Sequence, residues 1–432
     1  MHHRSETLFS SLAVRLLGAA LAVAACVFLI LTSARTGFAR LLEKYAMLTY
    51  SLPAANQATR LARSDADAHR VRAAVLSHLK LIEEAENELE QATSLRPKDD
   101  YLWLELGNAR DEIGDTQGAL AAFNEAVRFA PYYAHTRWQR GNLLLRMGHY
   151  EQAIADLRQA SLSNSNFLPN FMDLAWGLSR GDAKATEQLL QINDDRTRLT
   201  YARFLARHGK AQEAVEQFRL AQASALEETR MDFLRQLIDA KAFREAFNLW
   251  KGPVGGSNKT MSVVYDGGFE GQLSLDEEMF GWRLLREQEG VTISLDATQQ
   301  HSGTKSLRIQ FNGNSNPNVP LLSQLILVKP QQRYRVNFAA STKDIVTGGL
   351  PFISIKDAGA GQLLGRSSSF PQATHPWQVL SFDFTTSPTT DALILSLQRN
   401  NCTSAPCPIF GFVWLDSFSI QELSDATHPL PK

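Results

Sequence analysis

The chain repeats itself with a period of 34 residues. Gly107, Ala119, Phe123, Ala126 and Pro131 recur 34 positions upstream as Ala73, Ala85, Leu89, Ala92 and Pro97, and 34 downstream as Gly141, Ala153, Leu157 and Ala160. A period of that length is one helix-turn-helix unit, which cannot cover its own apolar face and must stack on neighbours. The recurring residues have mechanical roles. Small residues at 107 and 119 let two helices approach closely, Phe123 and Ala126 pack on the next unit, and Pro131 ends the second helix.

Trp103, Leu106, Gly107, Gly114, Ala119, Phe123, Ala126 and Pro131 fall at the offsets of the tetratricopeptide pattern, with Arg110 where the consensus has tyrosine. The register loosens beyond Phe167 and recovers at Ala202, Gly209, Ala214, Phe218 and Ala221; a divergent last unit holds Ala246 and Trp250. Five or six helical hairpins are therefore expected over residues 65–250, with 35–64 as a helical lead-in. The stretch resembles the tetratricopeptide family, which implies an all-α solenoid whose concave face docks a protein partner and implies no reaction. Trp103 and Phe123 are packing residues. Asn108, Arg137, Asn142 and Arg146 are polar residues that either line the groove or are simply solvated.

Ahead of the repeats, residues 16–34 run for nineteen positions without a charge. At 1.5 Å per residue they would span about 28 Å, one hydrocarbon core, so a single transmembrane helix is expected after a short cytoplasmic N-terminus at 1–15. A core helix fits poorly, because nothing nearby would cover a surface apolar on all sides. A cleaved signal peptide remains a rival, and Val23-Ala24-Ala25-Cys26 resembles a lipoprotein lipobox. The apolar run after Cys26, Val27 to Leu31, argues instead for an uncleaved anchor with Cys26 facing lipid.

Arg4 and Arg15 precede the span and Arg35, Arg40 and Lys44 follow it, so counting positive charges does not orient it. Cys402 and Cys407 enclose a short proline-containing loop at a spacing a disulfide can close, which favours an oxidising compartment. Two unrelated thiols are the alternative; a zinc half-site lacks partners nearby. The bulk of the chain is thus expected outside the inner membrane, in the periplasm or at the cell exterior. A formal net charge of −1 gives no global case for nucleic-acid binding.

At residues 251–260, KGPVGGSNKT, the Ala/Leu/Glu-rich text gives way to Gly, Pro, Ser and Asn, the mark of a linker. Eight segments rich in β-branched and aromatic residues follow within 261–422: VTISLD, KSLRIQFNG, LLSQLILV, RYRVNFAAS, PFISIKDA, WQVLSFDFT, DALILSLQR and IFGFVWLDSFSIQEL. With no helix between them they predict an all-β antiparallel jelly-roll sandwich, followed by a tail at 423–432.

DGGFEG at 266–271, Gly281-Trp282, HSGTKSLRI at 301–309, QLILVKPQQRYRVNFAA, Trp377 and the late WLDSFSI together resemble the galactose-binding-like jelly roll of carbohydrate-binding modules. That resemblance implies a structural calcium ion joining the first and last strands, held here by Glu270 and Asp416; the alternative is that Glu270 caps a turn and Asp416 forms a salt bridge. It also implies contact with a polysaccharide, for which Trp282, Gln324, Arg335, Lys356 and Gln398 are the candidates. Strand alternation puts Gln324 and Gln398 among apolar neighbours on one side, as a polar groove or any half-exposed strand would. Trp377 and Trp414 sit in apolar text and read as core.

No phosphate loop, HExxH, GxSxG or cysteine-histidine arrangement occurs in a supporting context, and the Asp276-Glu277-Glu278 run reads as a solvated loop. The sequence therefore predicts a membrane-anchored, non-catalytic adaptor for envelope or exopolysaccharide assembly or export. The alternative is a scaffold whose sandwich is a cap without sugar binding.

Overall fold

The computed structural model describes residues 3–222, 226–251, 264–271, 280–284, 290–403 and 406–423, with 3–15 as backbone only. The linker at 252–260, the acidic run at 276–278 and the tail at 424–432 lie outside the described residues. The chain divides into two compact units, Met1–Gln191 and Ile192–Lys432.

The first unit opens with α1 (His3–Thr49), one unbroken helix. Its apolar part is bare, with Leu16 63% and Ile30 66% exposed, and it is long and apolar enough to cross a membrane. Its C-terminal half is packed. Ala39 meets Ala62 and Ala68, and Ala46 meets Ala54, Ala55, Val71 and Val75. Arg35 Nε donates to the carbonyl of Leu61, 2.7 Å away, at the end of α2 (Leu52–Leu61). The helical lead-in expected at 35–64 is thus helical, and its residues 35–61 form a helical pair of their own.

Four further pairs complete this unit: α3 (Ala66–His78) with α4 (Ile82–Leu95), α5 (Asp100–Glu112) with α6 (Thr116–Phe129), α7 (Ala134–Arg146) with α8 (Tyr150–Ser163), and α9 (Leu168–Leu178) with α10 (Ala183–Leu190). Asp65, Asp99, Asp115 and Asp182 cap helix N-termini by accepting backbone N–H groups, and the helices end before Pro97 and Pro131. The small residue at the crossing is required: a Cβ on Gly107 would lie 2.5 Å from the Phe123 ring, and one on Gly141 2.8 Å from Leu157 Cγ. Gly114 and Gly148 turn the chain between helices at φ of 86° and 81°, where a side chain is disfavoured.

The second unit begins with two more pairs, α11 (Asp195–Arg207) with α12 (Ala211–Leu220) and α13 (Glu227–Asp239) with α14 (Phe243–Lys251). The pairs stack through Phe218 and Phe233, whose ring centroids are 4.3 Å apart. From α3 to α14 there are six pairs, at the upper end of the number expected.

The sandwich follows in the same unit. One sheet has the order β1-β4-β9-β6-β7, built from Arg283–Leu284, Leu322–Leu327, Ala392–Arg399, Pro351–Asp357 and Leu363–Arg366. The other has the order β2-β3-β10-β5-β8, from Val291–Asp296, Ser306–Asn314, Pro408–Leu423, Arg333–Thr347 and Ala373–Thr385. Every pairing is antiparallel. The eight segments read from the sequence are all strands, and β1 and β7 are short additions at the two edges of one sheet. Between the sheets lie Leu307, Ile309, Phe311, Val336, Phe338, Ile353, Leu395 and Leu397, all buried. The aromatic end of α14 packs onto the segment before β1: Phe247 meets Phe280 edge-on at 5.1 Å, and Trp250 meets Tyr265 at 5.4 Å.

Candidate functional site

Residues paired across strands share a face, so register decides which sandwich side chains converge. In the β1-β4-β9-β6-β7 sheet, Gln324 pairs with Leu395 and Leu395 with Ile355, a row facing the core. Gln398 pairs with Phe352 and Lys356 with Ile394, rows facing outward. Between them a serine row, Ser323, Ser396 and Ser354, crosses three strands and ends on Arg366 of β7. Arg366 lies 5.2 Å above the Phe352 ring and donates to Asn400 Oδ1 at 3.5 Å. The outer face of this sheet therefore carries exposed Arg366 with half-exposed Gln398 and Lys356 as donors and acceptors for a polyhydroxylated ligand; Ser354 and Ser396 are buried and bonded to each other at 3.0 Å, and the Asn400 amide donates to the Leu350 carbonyl at 3.2 Å and Ser369 Oγ at 2.8 Å.

Three of the sequence-derived sugar candidates are placed elsewhere. Trp282 is 5% exposed, stacks on Phe269 at 5.1 Å and donates its indole N–H to the Asp266 carbonyl, so it offers no ring face to a pyranose. Gln324 is 2% exposed and holds the backbone of Tyr265 at both ends, accepting from its N–H at 2.9 Å and donating to its carbonyl at 2.8 Å. Its amide is spent on fixing the entry segment. Arg335 is on β5 of the other sheet, paired with Asp383 at 2.7 Å. Gln324 and Gln398 thus occupy opposite faces, and only Lys356 and Gln398 share the outer one. Arg366 and Asn400 went unnoticed because β7 is four residues long and Asn400 follows the end of β9. Trp414 is buried on the outer side of its sheet with its indole N–H on Asp296 Oδ2, whereas Trp377 on edge strand β8 is half-exposed beside His301.

Glu270 and Asp416 flank one loop, residues 301–305. Asp416, with no exposed surface, accepts the N–H groups of His301 at 2.8 Å and Ser302 at 2.9 Å on one oxygen, and that of Ser417 at 2.5 Å on the other. Glu270 accepts from the N–H of Thr304 at 2.8 Å and from its hydroxyl at 2.5 Å, and these donors hold its carboxyl below the usual range. Phe418 N–H bonds the Gly267 carbonyl at 2.8 Å, completing a clip between the start of the domain and its last strand. Each carboxylate oxygen is thus turned to protein donors, and among the described residues no three acid, histidine or cysteine side chains converge as a metal set. The two carboxylates lie about Gly268, where an added Cβ would be 3.7 Å from Glu270 Cγ and 3.8 Å from Asp416 Oδ1, and a carboxylate oxygen that accepts one N–H keeps a second lone pair.

In the repeats, a cavity of about 240 Å3 opens between α3 and α5, lined by Ala73, Ala74, Ser77, Leu89, Glu105, Asn108, Ala109 and Glu112. Asn108 is where a groove residue was expected. Arg137 and Arg140 instead grip buried Asp156, at 2.7 and 2.6 Å, and Arg146 holds Asp111 at 2.5 Å. These arginines brace helix pairs.

A carbohydrate binding domain family model matches residues 262–404, and tetratricopeptide repeat models match 81–134 and 134–167. The chain joins tetratricopeptide repeats to a carbohydrate binding domain. Protein FlbA of Caulobacter vibrioides is 33% identical over 105 residues, which are 24% of this chain and 18% of FlbA, so the match spans less than a fifth of that relative. Among solved structures, pilF of Pseudomonas aeruginosa is similar at 17% identity and a TM-score of 0.33, over 49% of this chain and 97% of that one. A CBM4 structure is similar at 10% identity and a TM-score of 0.28, over 37% of this chain and 99% of that one.

Within the carbohydrate binding domain, Cys402 and Cys407 form a disulfide with Cα atoms 5.4 Å apart. It packs on Gly348 and Gly349, where a Cβ would meet Sγ atoms at 3.1 and 2.9 Å. Buried Arg399 ties this end together, donating to the carbonyls of Ser315 at 2.7 Å, Cys407 at 3.0 Å and Gly349 at 3.2 Å and to Thr347 Oγ1 at 3.0 Å. With a full set of neutral acceptors, this arginine is a structural tie.

Proposed function

We propose that the chain is a membrane-tethered, periplasm-facing, non-catalytic adaptor that binds a protein partner through its repeats and a glycan through its carbohydrate binding domain, in envelope or exopolysaccharide assembly or export. The observation that carries the tether is the bare apolar stretch of α1, which continues without a break into a packed helical pair. Uncovered apolar surface on that scale is stable in lipid and costly in water. The Cys402–Cys407 disulfide supports an oxidising compartment. Glycan contact is assigned to the outer face holding Arg366, Gln398 and Lys356, by hydrogen bonding to hydroxyls. The Glu270–Asp416 clip is assigned a structural role, closing the start of the domain onto its last strand, with a calcium ion on the two carboxylates as the alternative that chelation tests.

The test is retardation of the detergent-solubilised full chain in gels cast with envelope or exported polysaccharides, with an Arg366→Ala/Gln398→Ala variant beside it. Retardation lost in the variant is expected; wild type unretarded by every such polysaccharide would overturn the glycan assignment. A compartment-dependent reporter fused after Lys432 tests topology, and cytoplasmic activity would reverse it. A second reading, the sandwich as a structural cap, draws on the packing of Phe247 and Trp250 against Phe280 and Tyr265. On that reading the double variant keeps full function in cells.

A further inference from the structure

The cavity between α3 and α5 has a floor of small side chains, Ala73, Ala74 and Ala109, which leaves room for a guest side chain without admitting a folded element. Glu105 stands in its wall, half-buried, and burial raises its pKa. Among the described residues no arginine or lysine reaches it within ion-pair distance. Arg70 is the cation nearest in charge terms, but it lies against Asp67 at 3.8 Å and over the Tyr101 ring at 5.9 Å. Elsewhere in these repeats, half-buried acids are matched by arginine: Glu88 by Arg72, Glu86 and Glu90 by Arg110, and Asp156 by Arg137 and Arg140. A carboxylate left unmatched inside a cavity lacks a counter-ion that something else must supply. Beside it half-exposed Asn108, which bonds no side chain or backbone group among the described residues, presents both a donor and an acceptor. At the rim, exposed Lys80 reaches Glu112 at 3.4 Å and leaves the interior to Glu105.

We propose that this cavity receives the lysine or arginine side chain of an extended peptide segment, with Glu105 as its counter-ion and Asn108 bonding the segment's backbone. The inference rests on the reading of the repeats as a partner-binding array, and names the chemistry of that partner. A metal ion would need more oxygen ligands than one carboxylate and one amide supply. The aliphatic part of a long basic side chain matches the alanine floor and its charged head matches the carboxylate. Pairing in a partly desolvated site makes the contact selective for charge and not merely for size.

The experiment is selection of a phage-displayed library of random linear peptides on the full chain held in lipid nanodiscs, repeated with Glu105→Gln. The expected result is enrichment of lysine or arginine at one position with wild type. Affinity of the selected peptides should fall about ten- to a hundredfold in E105Q, the range for losing a charged hydrogen-bond partner. Ala74→Arg, which fills the cavity from its floor, should abolish binding and serves if E105Q is misfolded by circular dichroism. Selected peptides without a basic residue, or bound equally by E105Q, would overturn this inference and leave the array reading standing. If wild type selects no peptide at all, both fall.

Discussion

Substitution of Asp416 tests the clip that closes the carbohydrate binding domain. The side chain is fully buried and its two oxygens accept three backbone N–H groups, from His301, Ser302 and Ser417. Hydrogen bonds to a charged acceptor contribute about 1.5–3 kcal/mol each, and truncation also strands the donors. Because His301 and Ser302 belong to an exposed loop, two of the three donors can recover water, which lowers the sum. Asp416→Ala should therefore cost about 3–4 kcal/mol, a large share of the roughly 5–15 kcal/mol that holds a domain folded. Asp416→Asn keeps one acceptor but turns an NH2 towards backbone N–H, and should cost about 2–3 kcal/mol. Hydrogen exchange across a urea series, read on peptides from β3 and β10, isolates the sandwich from the helices. A loss under about 0.5 kcal/mol for D416A refutes the argument from buried donors. So does a fall in wild-type stability on chelation with EGTA matching the mutant, since that would place a cation at the clip.

Further outcomes follow from the same coordinates. Glu270 has a folded-state pKa below its unfolded value, so its contribution is present at neutral pH and disappears as pH falls through the lowered value. Exchange protection of the Thr304 and Lys305 amides should decline only at pH values below the ordinary glutamate range and ahead of global unfolding, and protection constant to the acid transition refutes this. Gly107→Ala would put a methyl 2.5 Å from the Phe123 ring and should cost about 1–3 kcal/mol, relieved in a Gly107→Ala/Phe123→Leu pair when both are measured by thermal unfolding. Cys402→Ser opens a loop with a sequence separation of 5, and should lower sandwich stability by about 2 kcal/mol in urea titrations under oxidising conditions.

What the sequence makes legible is what is periodic and local. The 34-residue spacing reports the Gly107–Phe123 crossing because helix pairs pack on near neighbours in the chain, and the eight strands are visible from composition and turns. The faces of those strands are another matter. Gln324 and Gln398 look alike in alternation, yet β4 and β9 meet in a register that sends one inward and the other outward. No rule within one strand predicts this, since pairing partners are distant in sequence. Trp282 reads as an exposed platform until Phe269 and Phe418 close around it from far along the chain. Asp416 reads as a calcium ligand through the family resemblance alone, and the backbone N–H groups it accepts belong to a loop more than 100 positions away that no local pattern pairs with it. Residues 35–61 read as a helical lead-in but not as a pair, because they do not keep the repeat's spacing and pack chiefly through alanines, with Leu42, Leu52 and Leu61 alongside.

The unbroken run of α1 has a mechanical consequence. At 1.5 Å per residue, its 47 residues form a rod about 70 Å long, half bare and half built into the first helical pair. A rod has no swivel. With Arg35 pinning the end of α2 just where the apolar stretch ends, the array is cantilevered from the bilayer on the proposed anchoring, not hung from it on a tether. The tilt of one helix in lipid then sets the height and heading of the first repeats. A partner docking near α3 and α5 would meet them within a restricted range of approach directions, so the anchor would select geometry as well as compartment.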